Sequence, residues 1–110
     1  MSPIPHAVRK KLSLDPFMRR CCYCRSRNAI EWHHALIIAG KQVQKWYAIL
    51  PLCAKCHRGY GGTIKIQIKL HCELKAIERG GERIYLDFPK AATALKQRRD
   101  YLIHEVYRFI

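Results

Sequence analysis

Long apolar runs are missing from this chain. Wholly apolar stretches such as Ala35 to Ala39 fall far short of the roughly 20 residues that cross a bilayer, which argues against a membrane span. The opening MSPIPHAVRKKLSLDP carries no signal-like apolar segment, so the expectation is a soluble, cytoplasmic protein. Repeats, low-complexity tracts and long linkers are absent too, and 110 residues fit one domain spanning 1–110. A domain of this size buries only a modest core and calls for additional staples. Acidic side chains are the scarcest class relative to their counterparts. Eight Asp and Glu face 21 Lys and Arg, a formal charge of +13 that points to a polyanionic partner. The blander readings are a solvated basic surface or attraction to acidic lipid, and the cysteine pattern below favours nucleic acid over both.

The excess charge is densest at the start. Arg9, Lys10, Lys11, Arg19, Arg20, Arg25 and Arg27 stand against the single acid Asp15, a clustering suited to phosphate contacts that give affinity without reading sequence.

Six cysteines fit three disulfides in a secreted chain, but in a reducing compartment clustered cysteines more often bind metal. Spacing decides between them. Cys21 and Cys24 are separated by two residues, and Cys53 and Cys56 repeat that gap after 28 intervening residues. Four such thiolates close a tetrahedral sphere, so Cys21, Cys24, Cys53 and Cys56 are expected to hold one structural Zn²⁺. Thiolate ligation leaves the bound protein near roughly +11, still strongly basic. Cys22 is an alternative ligand beside its neighbours, and Cys72 reads as a small buried apolar residue.

Hydropathy patterning supplies the elements around this framework. Residues 6–13 follow Pro5 as a short helix that ends before Asp15-Pro16. Residues 29–38 and 46–52 are rich in β-branched and aromatic side chains and predict a hairpin with a long loop. Residues 53–60 start a short helix that Gly61-Gly62 would end. From Thr63 the pattern fits both a strand (Ile64, Ile66, Ile68, Leu70) and a helical face (Ile66, Leu70, Leu74, Ile77). The helix is favoured, with Thr63 as N-cap and Gly80 as C-cap. A last helix over 91–109 places Leu95, Leu102, Val106 and Phe109 at near-helical intervals.

Three of the six histidines lie in or beside the cysteine framework: His33 and His34 between the two gaps, and His57 directly after Cys56. In one reading His33 and His57 bind a second, open-site divalent ion while His34 takes a proton from attacking water. Imidazole suits both tasks. His6, His71 and His104 read as ordinary core or surface residues. A zinc deaminase is rejected, because His33-His34-Ala35 lacks the required Glu and Leu52 separates Pro51 from Cys53.

The succession CxxC, WHH and LPLCAKCH over residues 21–58 resembles the HNH (ββα-metal) endonuclease family, particularly its small phage-type members. That resemblance implies an α+β fold, a zinc-stapled ββα-metal core at about 21–60 with flanking helices, the C-terminal part covering about 63–110. By position, His33 and His57 match the metal ligands for Mg²⁺ or another divalent ion, and His34 the general base. It also implies cleavage of DNA, double-stranded by preference with RNA left open, in the host cytoplasm for a phage-borne gene. The family's middle Asn falls at Ala48, and Asn28 is the only asparagine in the chain, so Gln44 is the candidate replacement amide. The competing function is a noncatalytic zinc module that binds nucleic acid or protein.

Overall fold

The computed structural model describes residues 4–108. The chain opens with helix α1 (His6–Ser13), which Pro5 can precede because its missing N–H is not needed there. Asp15 ends the segment and starts the next. Its Oδ1 accepts from the Phe17 backbone N–H at 3.0 Å and caps a 3₁₀ turn over Pro16–Arg19.

The expected hairpin forms, with a finer structure than the sequence indicated. Strand β1 (Ile30–His34) pairs antiparallel with β4 (Ile49–Cys53), in a register that sets Glu31 opposite Leu52 and His33 opposite Leu50. Opposed residues share a face, so Glu31, His33, Leu50 and Leu52 lie on one side and Trp32, His34 and Ile49 on the other. The first apolar run is not one strand to residue 38. It breaks after His34, and Ile37–Ile38 (β2) folds back on Lys41–Gln42 (β3) as a second small sheet. The tight reversal needs positive φ at both central residues, supplied by Ala39 at 52° and Gly40 at 77°. The second run opens as a 3₁₀ turn over Trp46–Ala48 before entering β4.

After β4 the chain makes a π-helical turn over Lys55–Gly59 instead of a regular helix. Helix α2 (Gly62–Gly80) follows, so the helical alternative holds for the ambiguous segment. Its caps and buried face differ from expectation. Gly61 is the N-cap residue and Thr63 lies in the first turn. At the other end Gly81, at a φ of 52°, is the C-cap, with its N–H donating to Ile77 O. Leu74 and Ile77 are buried as expected, but Ile66 is 59 % exposed and the row Ile68, Cys72, Ala76, Gly80 points inward instead. Small side chains in that row let α2 approach the Trp46–Ala48 turn closely. A Cβ on Gly80 would stand 3.0 Å from Tyr47 Cδ1 and 3.2 Å from Ile84 Cβ. Tyr47, fully buried, donates its hydroxyl to Asp87 Oδ2 at 2.9 Å, at the end of helix α3 (Glu82–Asp87).

Helix α4 (Ala92–Tyr107) runs back over α2, burying Leu95 and Leu102 with Val106 half-buried. Phe109, expected on the same face, lies outside the described residues. The result is an α+β fold in which helices outweigh two small antiparallel sheets. A main core joins α2, α4, the hairpin and the cysteines, and a smaller cluster of Leu12, Met18 and Ile49 seats α1 on the far side of the hairpin. Among the described residues no helix is long and apolar enough to cross a membrane.

Candidate metal centre and histidine site

The two cysteine pairs converge because the hairpin brings its ends together. Cys53 closes β4, and the Cys22 N–H donates to Pro51 O at 2.8 Å, which ties the first cysteine turn to the same strand. Pro51 costs that strand little, since an edge strand tolerates a missing N–H. The Sγ atoms of Cys21, Cys24, Cys53 and Cys56 all lie within 4.8 Å of one another, with Cys24 and Cys53 3.6 Å apart. A tetrahedral ion with metal–sulfur bonds of about 2.3 Å spaces its sulfurs about 3.8 Å apart, so the four lie close enough to share one structural metal ion. Each turn also aims a backbone N–H at its first sulfur: Cys24 N to Cys21 Sγ and Cys56 N to Cys53 Sγ, both 3.4 Å. Such donors stabilise a thiolate. Against the opposing effect of burial, N–H groups of Cys24, Cys53 and Tyr23 hold the Cys21 thiol below its ordinary range. Burial and the neighbouring sulfurs push Cys56 up, so metal loading must displace a proton there.

The other two cysteines stay outside this cluster. Cys22 faces Cys72, Sγ to Sγ 3.8 Å, both buried in the core, so Cys22 is not placed as a ligand and Cys72 is the small buried residue the sequence suggested.

Three histidines lie along and beside the hairpin: His33 and His34 at the loop end of β1, and His57 in the turn after β4. The His33 and His57 rings lie 5.3 Å apart, centroid to centroid, at 65°. They line a pocket of about 260 Å³ with Leu52, Cys56, Lys65, Ile68 and Lys69. Burial first, then the charges of His57, His34 and Lys69, lowers the His33 pKa to about 4, so its imidazole is neutral and able to ligate at neutral pH. His57 Nδ1 donates to Glu31 Oε1 at 2.8 Å, which leaves Nε2 with its lone pair. Arg58 grips the same carboxylate through Nε and Nη2 at 3.0 and 2.7 Å. Hydrogen bonds from Arg58 and His57, against a small opposing effect of desolvation, hold Glu31 down to about 2. A histidine oriented by a carboxylate is a frequent arrangement behind metal-ligating imidazoles.

His34 points elsewhere. Its Nε2 meets Gln44 Oε1 at 3.0 Å, so the loop amide singled out in the sequence does reach this imidazole, while the expected asparagine position, Ala48, is fully buried. With Nε2–H donating, the lone pair sits on Nδ1. Among the described residues the four cysteines are the one cluster of three or more metal-ligating side chains, and His33 and His57 stand outside it as a pair.

Of the basic residues, Arg9, Lys10, Lys11, Arg19, Arg25 and Arg27 are exposed and Arg20 is partly so. Arg9 stacks 5.6 Å from the Trp32 ring centroid and Lys11 4.5 Å from that of Trp46, which positions α1's cations on the hairpin face away from the His33–His57 pocket. His6 and His104 are exposed. His71 is half-buried with its ring edge-on to Tyr23 at 5.3 Å.

Sequence reasoning missed Glu31, Lys65 and Lys69. The signal for Glu31 was present: two residues before His33 on a strand places it on the same face. Lys65 and Lys69, one helical turn apart, carry no local signal, because only the docking of α2 brings them to the pocket. Comparison with protein-family models, curated proteins and solved structures gives no match for this chain.

Proposed function

We propose that this chain is a metal-dependent endonuclease of the HNH type that hydrolyses DNA phosphodiester bonds, with Zn²⁺ as the structural ion of the four-cysteine cluster. The single observation that carries the reading is the His33–His57 pair, 5.3 Å apart in an open pocket, with Glu31 on His57 Nδ1. A purely structural zinc module has no use for that constellation. A second divalent ion such as Mg²⁺, when bound by His33 and His57, would supply stabilisation of the charge that builds on the phosphate.

The remaining steps belong to the chain's own groups. His34, which with His33 lines the larger hollow beside this pocket, accepts a proton at Nδ1 from the attacking water, whose oxygen bonds to phosphorus as the P–O ester bond to the leaving oxygen breaks. Gln44 fixes the tautomer of that imidazole through the bond to Nε2. Glu31 fixes His57, and Lys65 and Lys69 offset the phosphate's negative charge at the pocket wall. The exposed arginines and lysines of the N-terminal third hold the rest of the polyanion.

One observation favours a noncatalytic DNA-binding module instead: Ala48 stands where the resemblance expects an asparagine. Incubating supercoiled plasmid with the zinc-loaded protein and Mg²⁺, Mn²⁺ or Ni²⁺, beside His34→Ala, separates the two. Nicked or linear product from the parental protein alone supports the nuclease, and retarded but intact plasmid in every lane supports the binding module.

A further inference from the structure

A second concavity, of about 680 Å³, adjoins the histidine pocket; His33 and His34 stand at its edge, and the rest of it extends beyond the groups used in the scheme above. Its walls are the β1–β3 segment, through Leu36 and Ile38, and helix α4, through Ala94 and Leu95. His33 and Lys69 border both hollows, so the two form one continuous surface with a cation at the junction. Besides His33, His34 and Lys69 at the junction, the apolar walls carry the ion pair Glu73 and Arg98. The Arg98 guanidinium holds both carboxylate oxygens, at 2.6 and 2.8 Å, and cancels a charge that would otherwise repel a polyanion.

We propose that this cleft takes one unpaired nucleobase next to the phosphate at His33 and His57, which makes the protein selective for bulged, mismatched or otherwise unstacked DNA. The inference rests on the nuclease reading and names its preferred substrate. The chemistry fits a base rather than a lipid tail or a peptide. A base has flat faces suited to Leu36, Ile38 and Leu95 and an edge of mixed donors and acceptors suited to Glu73 and Arg98. It is also joined to a phosphate, suited to Lys69. The volume lies within the roughly 300–1,000 Å³ of small-ligand sites. A base stacked inside a regular duplex cannot enter a concave site. Extruding it costs least where pairing is already lost, so preference for an unpaired base should be on the order of ten- to a hundredfold.

The test uses the zinc-loaded full chain without a second divalent ion, and two duplexes of one sequence. In one, 2-aminopurine occupies a single-nucleotide bulge, and in the other it is paired. The expected result is tighter binding of the bulged duplex by that factor, with a rise in 2-aminopurine fluorescence as the base leaves the stack. Ala94→Trp, at an exposed position of α4, should fill the cleft and abolish both the rise and the preference while helical circular dichroism is kept. Equal affinity for the two duplexes, a comparison that needs no variant, overturns the inference. Adding Mn²⁺ to the same two duplexes then reads cleavage: bulge preference in a protein that does not cut with Mn²⁺ upholds the cleft and refutes the nuclease. Cleavage of both duplexes at one rate does the reverse, and binding to neither refutes both.

Discussion

Replacing Glu31 isolates the orientation of His57 from the stability of the fold. The side chain is partly exposed and its contacts are His57 at 2.8 Å and the bidentate Arg58. On the π-helical turn His57 is partly exposed and Arg58 exposed, so the melting temperature should move little in Glu31→Gln or Glu31→Ala. Divalent-ion affinity should move much more. A charge-assisted hydrogen bond is about twice as strong as a neutral one, and Glu31→Gln keeps an acceptor for Nδ1–H while losing the charge. Glu31→Ala removes both and frees the ring to turn or change tautomer. Loss of such partners usually weakens metal binding or activity about 10- to 100-fold, so Gln should fall near the lower figure and Ala near the upper. Isothermal titration of the zinc-loaded protein with Mn²⁺, paired with plasmid nicking, reads both quantities. Parental affinity and nicking in both variants would refute the role assigned to the carboxylate, and a large drop in melting temperature would show it to be structural.

Three further outcomes follow from the same geometry. Stripping the four-cysteine metal with a strong chelator should collapse the hairpin and lower the melting temperature sharply, since the cluster joins both hairpin ends to the main core. An unchanged melt contradicts a structural role. DNA affinity measured by fluorescence anisotropy should fall log-linearly with salt, and Arg19→Ala with Arg20→Ala should flatten the slope. A salt-independent affinity points to another kind of partner. Asp15 is held below its ordinary pKa: burial opposes this, and the Phe17 N–H and Arg79, at 3.0 Å, overcome it. A lowered native pKa means that the folded state favours the carboxylate, so the stabilisation is complete above the unfolded value near 3.8 and is lost as pH falls through the lower native value. Asp15→Asn should therefore cost stability in urea titrations at neutral pH and less at acid pH, below 3.8. An equal cost at both pH values contradicts that account.

Much of the framework was legible because it depends on local spacing. Two CxxC gaps separated by a β-rich stretch can bring their sulfurs together only through a hairpin, and β1 and β4 form that hairpin. Helix α1 and helix α4 were legible from Pro5, the Asp15-Pro16 stop and the apolar period through Leu95 and Leu102. What escaped depends on tertiary contact. The Ala39-Gly40 reversal uses an alanine at positive φ, which no turn signal announces. The buried row of α2 was misjudged because close packing helps decide it: Gly80 fits against Tyr47 and Cys72 against Cys22, while Ile66 is left exposed. At the site, residue types singled out both His33 and His57, but their separation, the bond from His57 to Glu31 and the approach of Lys69 come from packing.

The central claim is that one imidazole moves a proton while two others hold an ion, and the measurement that tests it most directly pairs cleavage with metal binding in single histidine variants. On a labelled DNA duplex under single-turnover conditions, with Mn²⁺ affinity measured in parallel on zinc-loaded protein, His34→Ala should lose cleavage and keep its divalent-ion affinity, because Nδ1 acts on water. His33→Ala and His57→Ala should lose both. A His34→Ala protein that cuts at the parental rate, or one that loses the ion while His33→Ala retains it, would contradict the account.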